Sequence, residues 1–274
     1  MYNEKIVIKR NKNKKIKPLK NGVFILPNIF TTANLFSGCF SIFCSIDGNY
    51  ELAAIAIFIA VFLDGLDGKV ARAANAVSDF GKDYDSLSDL VSFGAAPAIL
   101  YYVWCSNTPG GDSQQNIIWL ISFFYIACTA LRLARFNNLL QLKDDNHFIG
   151  FPSPASATLC SVVIWQCQIH YIDPLISYAL ISSVFFISAL MMVSSIHFNS
   201  FKNITRVNKM PFSGTLLGPL LIILILLNPP VVLTFLSVSY IVSGPINSLL
   251  LLINRSDSNP VSYTHLTLPT ICSV

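Results

Sequence analysis

The stretch ELAAIAIFIAVFLDGLDGKVARA, residues 51–73, decides what kind of molecule this is. From Leu52 to Leu63 it carries no charge, and then Asp64, Asp67, Lys69 and Arg72 follow within nine residues. With its flanks the run supplies the ~20 residues that cross ~30 Å of hydrocarbon. It therefore predicts a membrane helix that ends in carboxylates. Ionisable groups at such a place are costly to hold and mark function by default.

The rest of the chain agrees. Of its 274 residues, 53% are hydrophobic and 12% charged, about half the charged share of an ordinary soluble domain. Apolar segments recur at about 28–46, 51–72, 86–104, 116–136, 153–172, 174–194, 214–228 and 231–253, which predicts eight helices. Short turns between them make neighbours antiparallel, so the fold class is an all-α, polytopic transmembrane bundle. The shortest segment is the seventh, flanked by Gly218-Pro219 and Asn228-Pro229-Pro230.

Charge placement tests the count. Eight basic residues from Lys5 to Lys20 precede the first helix. Lys69, Arg72 and Lys82 fall in the loop after the second, Arg132, Arg135 and Lys143 after the fourth, Lys202, Arg206 and Lys209 after the sixth, and Arg255 after the eighth. These are all 18 basic residues, and the alternate loops hold none. By the positive-inside rule both termini and the even-numbered loops face the cytoplasm. The basic N-terminal segment, residues 1–22, reads as a membrane-surface anchor rather than a nucleic-acid arm, and it is too long for a signal peptide. Residues 23–254 form the transmembrane domain. The polar tail, residues 255–274, has no helical period and is expected to be disordered or foreign to the fold.

The chemistry lies between the second and third helices. Asp64 and Asp67 are spaced i, i+3 on one helix face, and Asp85 and Asp89 are spaced i, i+4 at the expected start of the third. Consecutive antiparallel helices can turn these stripes toward each other at one depth. Four converging carboxylates repel unless a cation lies among them, and hard oxygen ligands suit Mg²⁺, Mn²⁺ or Ca²⁺. Such ions polarise phosphate oxygens, so the arrangement points to phosphoryl chemistry. The third helix's N-terminus adds a partial positive charge, and Gly65, Gly68 and Gly81 leave room for a ligand near the backbone. Asp47, Asp79 and Asp83 read as solvated loop or cap residues.

These residues resemble the signature of the CDP-alcohol phosphatidyltransferases, D-x-x-D-G-x-x-A-R, eight residues, G-x-x-x-D-x-x-x-D, and the match is complete from Asp64 to Asp89. The resemblance implies that Asp64, Asp67 and Asp85 ligate a divalent-metal pair, Mg²⁺ or Mn²⁺ with Ca²⁺ able to take the site. It implies that Asp89, beside Asp85 as the second catalytic carboxylate, is ligand, general base or both. Gly68, Ala71, Arg72 and Gly81, with Thr31 and Asn34 of the first helix, would bind the cytidine diphosphate group. Pro27-Asn28, Thr31 and Asn34, then Arg132 to Asn137, Phe151 to Ala155 and Ser200-Phe201-Lys202 are similar to the phosphatidylserine synthase subgroup, over roughly residues 20 to 210. That likeness implies CDP-diacylglycerol and L-serine as substrates, with Arg132, Arg135, Asn137 and Ser153 toward the acceptor or a lipid phosphate. It also implies a homodimer in a bacterial cytoplasmic membrane, with no nucleic-acid partner.

Other readings explain less. Arg132 and Arg135 can serve as charge anchors, and Ser153 between prolines as a helix-entry turn. Glycerol 3-phosphate or inositol phosphate as acceptor would call for more basic residues. An ion-coupled transporter leaves Gly68, Ala71, Arg72 and Gly81 unexplained, and no internal repeat is visible. His147, His170 and His197 lie in separate loops, and the seven cysteines lack metal or disulfide spacing.

Overall fold

The computed structural model describes residues 25–73, 78–141, 148–170, 172–194, 197–198, 223–225 and 227–256. The basic N-terminal segment, Lys143, His147, residues 199–222 and the tail beyond Ser256 lie outside the described residues, as does most of the expected seventh helix.

The architecture is all-helical. Its helices are α1 (Ile25–Ile46), α2 (Tyr50–Ala73), α3 (Asp79–Asp89), α4 (Ala96–Asn107), α5 (Gln115–Gln141), α6 (Ser153–His170), α7 (Pro174–Val193) and α8 (Pro229–Ser256). A π-helical segment, Leu90–Ala95, joins α3 to α4, so the expected third helix is one rod in which α3, the π segment and α4 follow without a break. The remaining regular structure among the described residues is a 3₁₀ turn, Gly111–Gln114, helical residues at 223–225 and 227, and a two-residue pairing of Phe148–Ile149 with His197–Phe198.

Among the described residues, four helices are long and apolar enough to cross a membrane: Asn28–Ile46, Phe80–Asn107, Gln115–Asn138 and Pro174–Val193. The chain is an integral membrane protein. Their outer faces expose Phe36, Phe43, Trp119, Phe123, Leu175 and Phe186, side chains that lipid rather than water would cover. α6 has a different setting. It is buried from Ser156 through Trp165, and at Ser153 and Cys167, because α2, α4, α7 and α8 surround it.

Small residues set the closest helix pair. α1 and α2 turn back on each other through Gly48, whose φ of 77° needs a residue without a side chain. Ser37 and Ser41 donate to the Ala56 and Ala53 carbonyls at 2.8 and 2.9 Å, which the small faces of both helices permit. The π segment has a local cause. Pro97 has no N–H to return to the preceding turn, and the Ala96 N–H reaches back five residues to the Val91 carbonyl.

Two sequence expectations need correcting. The third helix begins at Asp79, not residue 86, because Ser78 caps it by accepting from the Gly81 N–H at 3.0 Å. Asp85 and Asp89 are thus well inside the helix, beyond the first turn where the dipole's partial charge acts, so the N-terminal contribution expected for them is absent. Helix α5 also runs further than expected, to Gln141, whereas α2 keeps its expected span. Lys69, Arg72, Arg132 and Arg135 are helical residues, not loop residues.

Candidate metal and substrate site

α2 ends at Ala73 and α3 begins at Asp79, and the two helices bring the acidic stripes together. A carboxylate oxygen from each of Asp64, Asp67 and Asp85 lies within 4.8 Å of the others. Asp89 belongs to the same cluster: it is close enough for the charges of Asp64, Asp85 and Asp67 to act on it. Asp67 and Asp89 are buried, while Asp64 and Asp85 are partly open.

α1 supplies the neutral partners. The Thr31 hydroxyl donates to Asp67 Oδ2 at 3.2 Å, and the Asn34 amide donates to Asp89 Oδ1 at 3.2 Å. These bonds fix one carboxylate on each acidic helix. α1 is held in register by the rod it faces: Ser88 donates to the Thr31 carbonyl and Ser92, in the π segment, to the Asn34 carbonyl. Gly38 lets the helices meet, since a Cβ there would stand 2.7 Å from Ser92 Cα.

The charge balance is lopsided. Arg72, exposed on the last turn of α2, acts on Asp67, and Arg132 of α5 acts on Asp64 and Asp89. Two guanidinium groups do not neutralise four carboxylates. Asp85 Oδ1 is also buried with no hydrogen-bond partner, an arrangement that costs free energy unless a cation satisfies it. An all-carboxylate oxygen donor set of this compactness fits Mg²⁺, Mn²⁺ or Ca²⁺.

The remaining expected residues divide. Arg132 donates to the Ser153 hydroxyl at the start of α6, so both stand beside the acidic cluster. Arg135 instead donates to the Val193 carbonyl at the end of α7 (3.3 Å), and Asn137 to the Ser86 hydroxyl (2.9 Å). Neither of these contacts reaches the aspartates. Gly65 and Gly68 leave the surface of α2 open: nothing lies within 4 Å of a Cβ at Gly65, and at Gly68 only the Arg72 guanidinium approaches. Gly81 gives its space to Ser78 Oγ, 3.1 Å from where a Cβ would be. Ala71 occupies the last turn of α2. His170 is exposed at the end of α6, and among the described residues six cysteines are free thiols, most of them buried.

The sequence did not single out Ser88, Ser92 or Tyr240. A serine in an apolar helix carries no signal of its own, although the spacing of Ser88 and Ser92, i and i+4 beside Asp89, marks one face. Tyr240 of α8 stacks at a tilt on Phe151, with ring centroids 5.9 Å apart, and its phenol stands where Arg132's charge acts on it.

Comparison with known proteins gives this geometry a context. The chain is 34% identical over 185 residues to a CDP-diacylglycerol–serine O-phosphatidyltransferase of Helicobacter pylori, covering 67% of this chain and 76% of that one. It is 33% identical over 181 residues to a protein of the same name from Methanocaldococcus jannaschii, covering 66% and 77%. An archaetidylserine synthase of Methanothermobacter thermautotrophicus is 40% identical over 138 residues, covering 50% and 56%. The family model described as CDP-alcohol phosphatidyltransferase matches residues 24–196, which span every residue of the acidic cluster and the helices that carry it. With the aspartates gathered as that family's signature requires, the chain belongs to the CDP-alcohol phosphatidyltransferases.

Proposed function

We propose that the chain transfers the phosphatidyl group of CDP-diacylglycerol to the hydroxyl of L-serine, giving phosphatidylserine and CMP. The observation that carries the reaction class is the compact cluster of Asp64, Asp67 and Asp85 with its unpartnered Asp85 oxygen, joined by Asp89. Serine as acceptor rests on the names of the relatives. The four aspartates would hold a pair of Mg²⁺ or Mn²⁺ ions, which when bound neutralise the diphosphate and polarise the phosphorus under attack.

The chain's own groups do the rest. Asp89, held at Oδ1 by Asn34, keeps its second oxygen for the serine hydroxyl proton. As that proton leaves, the serine oxygen bonds to the phosphorus of the phosphatidyl group. The anhydride oxygen departs with its electron pair on CMP. Arg72, whose guanidinium is the group that approaches Gly68, binds the nucleotide phosphates together with Gly68, Ala71 and Gly81, as the family resemblance implies. Arg132 and Ser153 take the acceptor carboxylate, for which a guanidinium has the matching geometry. Thr31 keeps Asp67 pointed into the cluster.

The diacyl tail need not leave the bilayer. A largely apolar groove of about 320 Å³ between α3 and α5, lined by Leu87, Leu90, Leu133 and Ala134, opens beside Ser86. In this reading the site faces the cytoplasm of a bacterium, and the basic segment 1–22 lies on the same membrane surface. Residues 23–254 are the transferase domain, and two copies associate as the family resemblance implies.

A parallel acceptor assay tests the proposal. Purified enzyme in detergent receives CDP-diacylglycerol and Mn²⁺ with labelled serine, glycerol 3-phosphate or inositol phosphate. Label entering lipid from serine alone, with matching CMP, is the expected result. Label from another acceptor overturns the serine assignment and leaves the transferase chemistry standing.

A further inference from the structure

We infer that Tyr240, on α8, is a specificity-determining residue: with Arg132 and Ser153 it forms a three-donor pocket for the acceptor's carboxylate. This rests on the serine reading above and adds to it an element that lies beyond residues 24–196, the span the family model matches.

Three contacts assemble the pocket. Arg132 enters from α5 and donates to Ser153 Oγ at the start of α6. Phe151, two residues earlier and fully buried, is tied to the end of α7 by its N–H donating to the Met191 carbonyl at 3.0 Å. The Phe151 ring meets the Tyr240 ring at 5.9 Å, which brings α8 over this corner. Tyr240 packs half-buried on the core, and its phenol and the Arg132 guanidinium are near enough for charge on either to act on the other.

Donor chemistry then selects the ligand. A guanidinium, a serine hydroxyl and a phenol all donate, and Arg132 is close enough to Asp64 and Asp89 for their charges to act on it. An anionic group placed here leaves an attached hydroxyl directed at the acidic cluster. A carboxylate one carbon away from a hydroxymethyl group, as in a β-hydroxy amino acid, has that reach. Tyrosine is suited to the task because its ring packs on Phe151 while its hydroxyl remains a donor within the field of Arg132.

Steady-state kinetics on Tyr240→Phe test the inference, since this change removes one oxygen and keeps the ring contact. KM is measured for serine and for CDP-diacylglycerol, with ethanolamine as an acceptor that lacks the carboxylate and the melting temperature in detergent as a check on folding. Losing a hydrogen bond to a charged group should raise KM for serine about tenfold or more. KM for CDP-diacylglycerol should stay within about twofold, and the preference for serine over ethanolamine should narrow by the same factor as serine binding weakens. Unchanged serine kinetics in a folded variant overturn the inference alone. An equal loss toward both substrates also overturns it, because a structural role predicts that result. If the unaltered enzyme makes no phosphatidylserine, the acceptor reading falls and takes this inference with it.

Discussion

At the scale of the residue, the site is a set of carboxylates whose directions are fixed by neutral donors. Asn34 holds one oxygen of Asp89, and Thr31 holds one of Asp67, each at 3.2 Å. Replacing Asn34 by leucine keeps the volume and removes the donor, so kcat should fall about tenfold or more while KM for CDP-diacylglycerol changes little. Asp89→Asn removes the proton acceptor itself, and a loss on the order of 10²-fold or more in kcat is expected by the same rate assay. The aspartates were legible because i, i+3 and i, i+4 spacings survive in the sequence. Arg132 was legible only through the family resemblance, because a positive-inside anchor and an arginine turned toward carboxylates have the same sequence. What separates them is direction: Arg132 donates to Ser153 and Arg135 to a helix end. Tyr240 was invisible for a similar reason, a lone tyrosine in an apolar helix having no pattern around it.

At the scale of the element, the rod formed by α3, the π segment and α4 decides where Asp85 and Asp89 point. Ser92 and Gly94 of the π segment are buried, and Gly38 of α1 lies directly against Ser92. A methyl group at Gly38 would stand 2.9 Å from Ser92 Cβ, so the helices must separate. Gly38→Ala should therefore cost about 1–3 kcal/mol of stability, seen as a lower melting temperature in detergent. Activity should drop beyond that loss, because Thr31 and Asn34 move with α1. The rod's existence was readable from hydropathy, but its start was not. Asp79, Lys82, Asp83 and Asp85 make the first turns look like loop, whereas the Ser78 cap lets them be helical. The same polar bias hid the last turns of α5.

At the scale of the molecule, function depends on setting a charged site at one end of an otherwise apolar bundle. α6 is screened by its neighbours, and the exposed faces of α1, α5 and α7 are apolar, so acyl chains can remain in lipid while the headgroups react. Keeping each methylene in the bilayer avoids ~0.8 kcal/mol, a large sum for two chains. The pairing of Phe148–Ile149 with His197–Phe198 and the bond from Arg135 to Val193 gather the ends of α5 and α7 and the start of α6 together. Placed beside α3's Ser86 by Asn137, these are the ends where the basic residues cluster. If that end faces the cytoplasm, a C-terminal fusion to green fluorescent protein fluoresces and one to alkaline phosphatase is inactive. The reverse pattern would invert the bundle. The bundle's order of helices could be read from the apolar segments, but α6's central position could not, since hydropathy does not distinguish a span facing protein from one facing lipid.

The central claim is that the carboxylate cluster is a metal centre on which phosphatidyl transfer depends. The most direct measurement is a Mn²⁺ titration of metal-stripped protein, with bound Mn²⁺ followed by electron paramagnetic resonance and phosphatidylserine formation followed in the same samples. The account predicts that activity rises with occupancy of the site, and that Asp85→Asn, which removes the charge from the carboxylate whose buried Oδ1 is unpartnered, weakens Mn²⁺ binding and abolishes turnover together. Full activity in the stripped protein, or undiminished Mn²⁺ binding in Asp85→Asn, would contradict it.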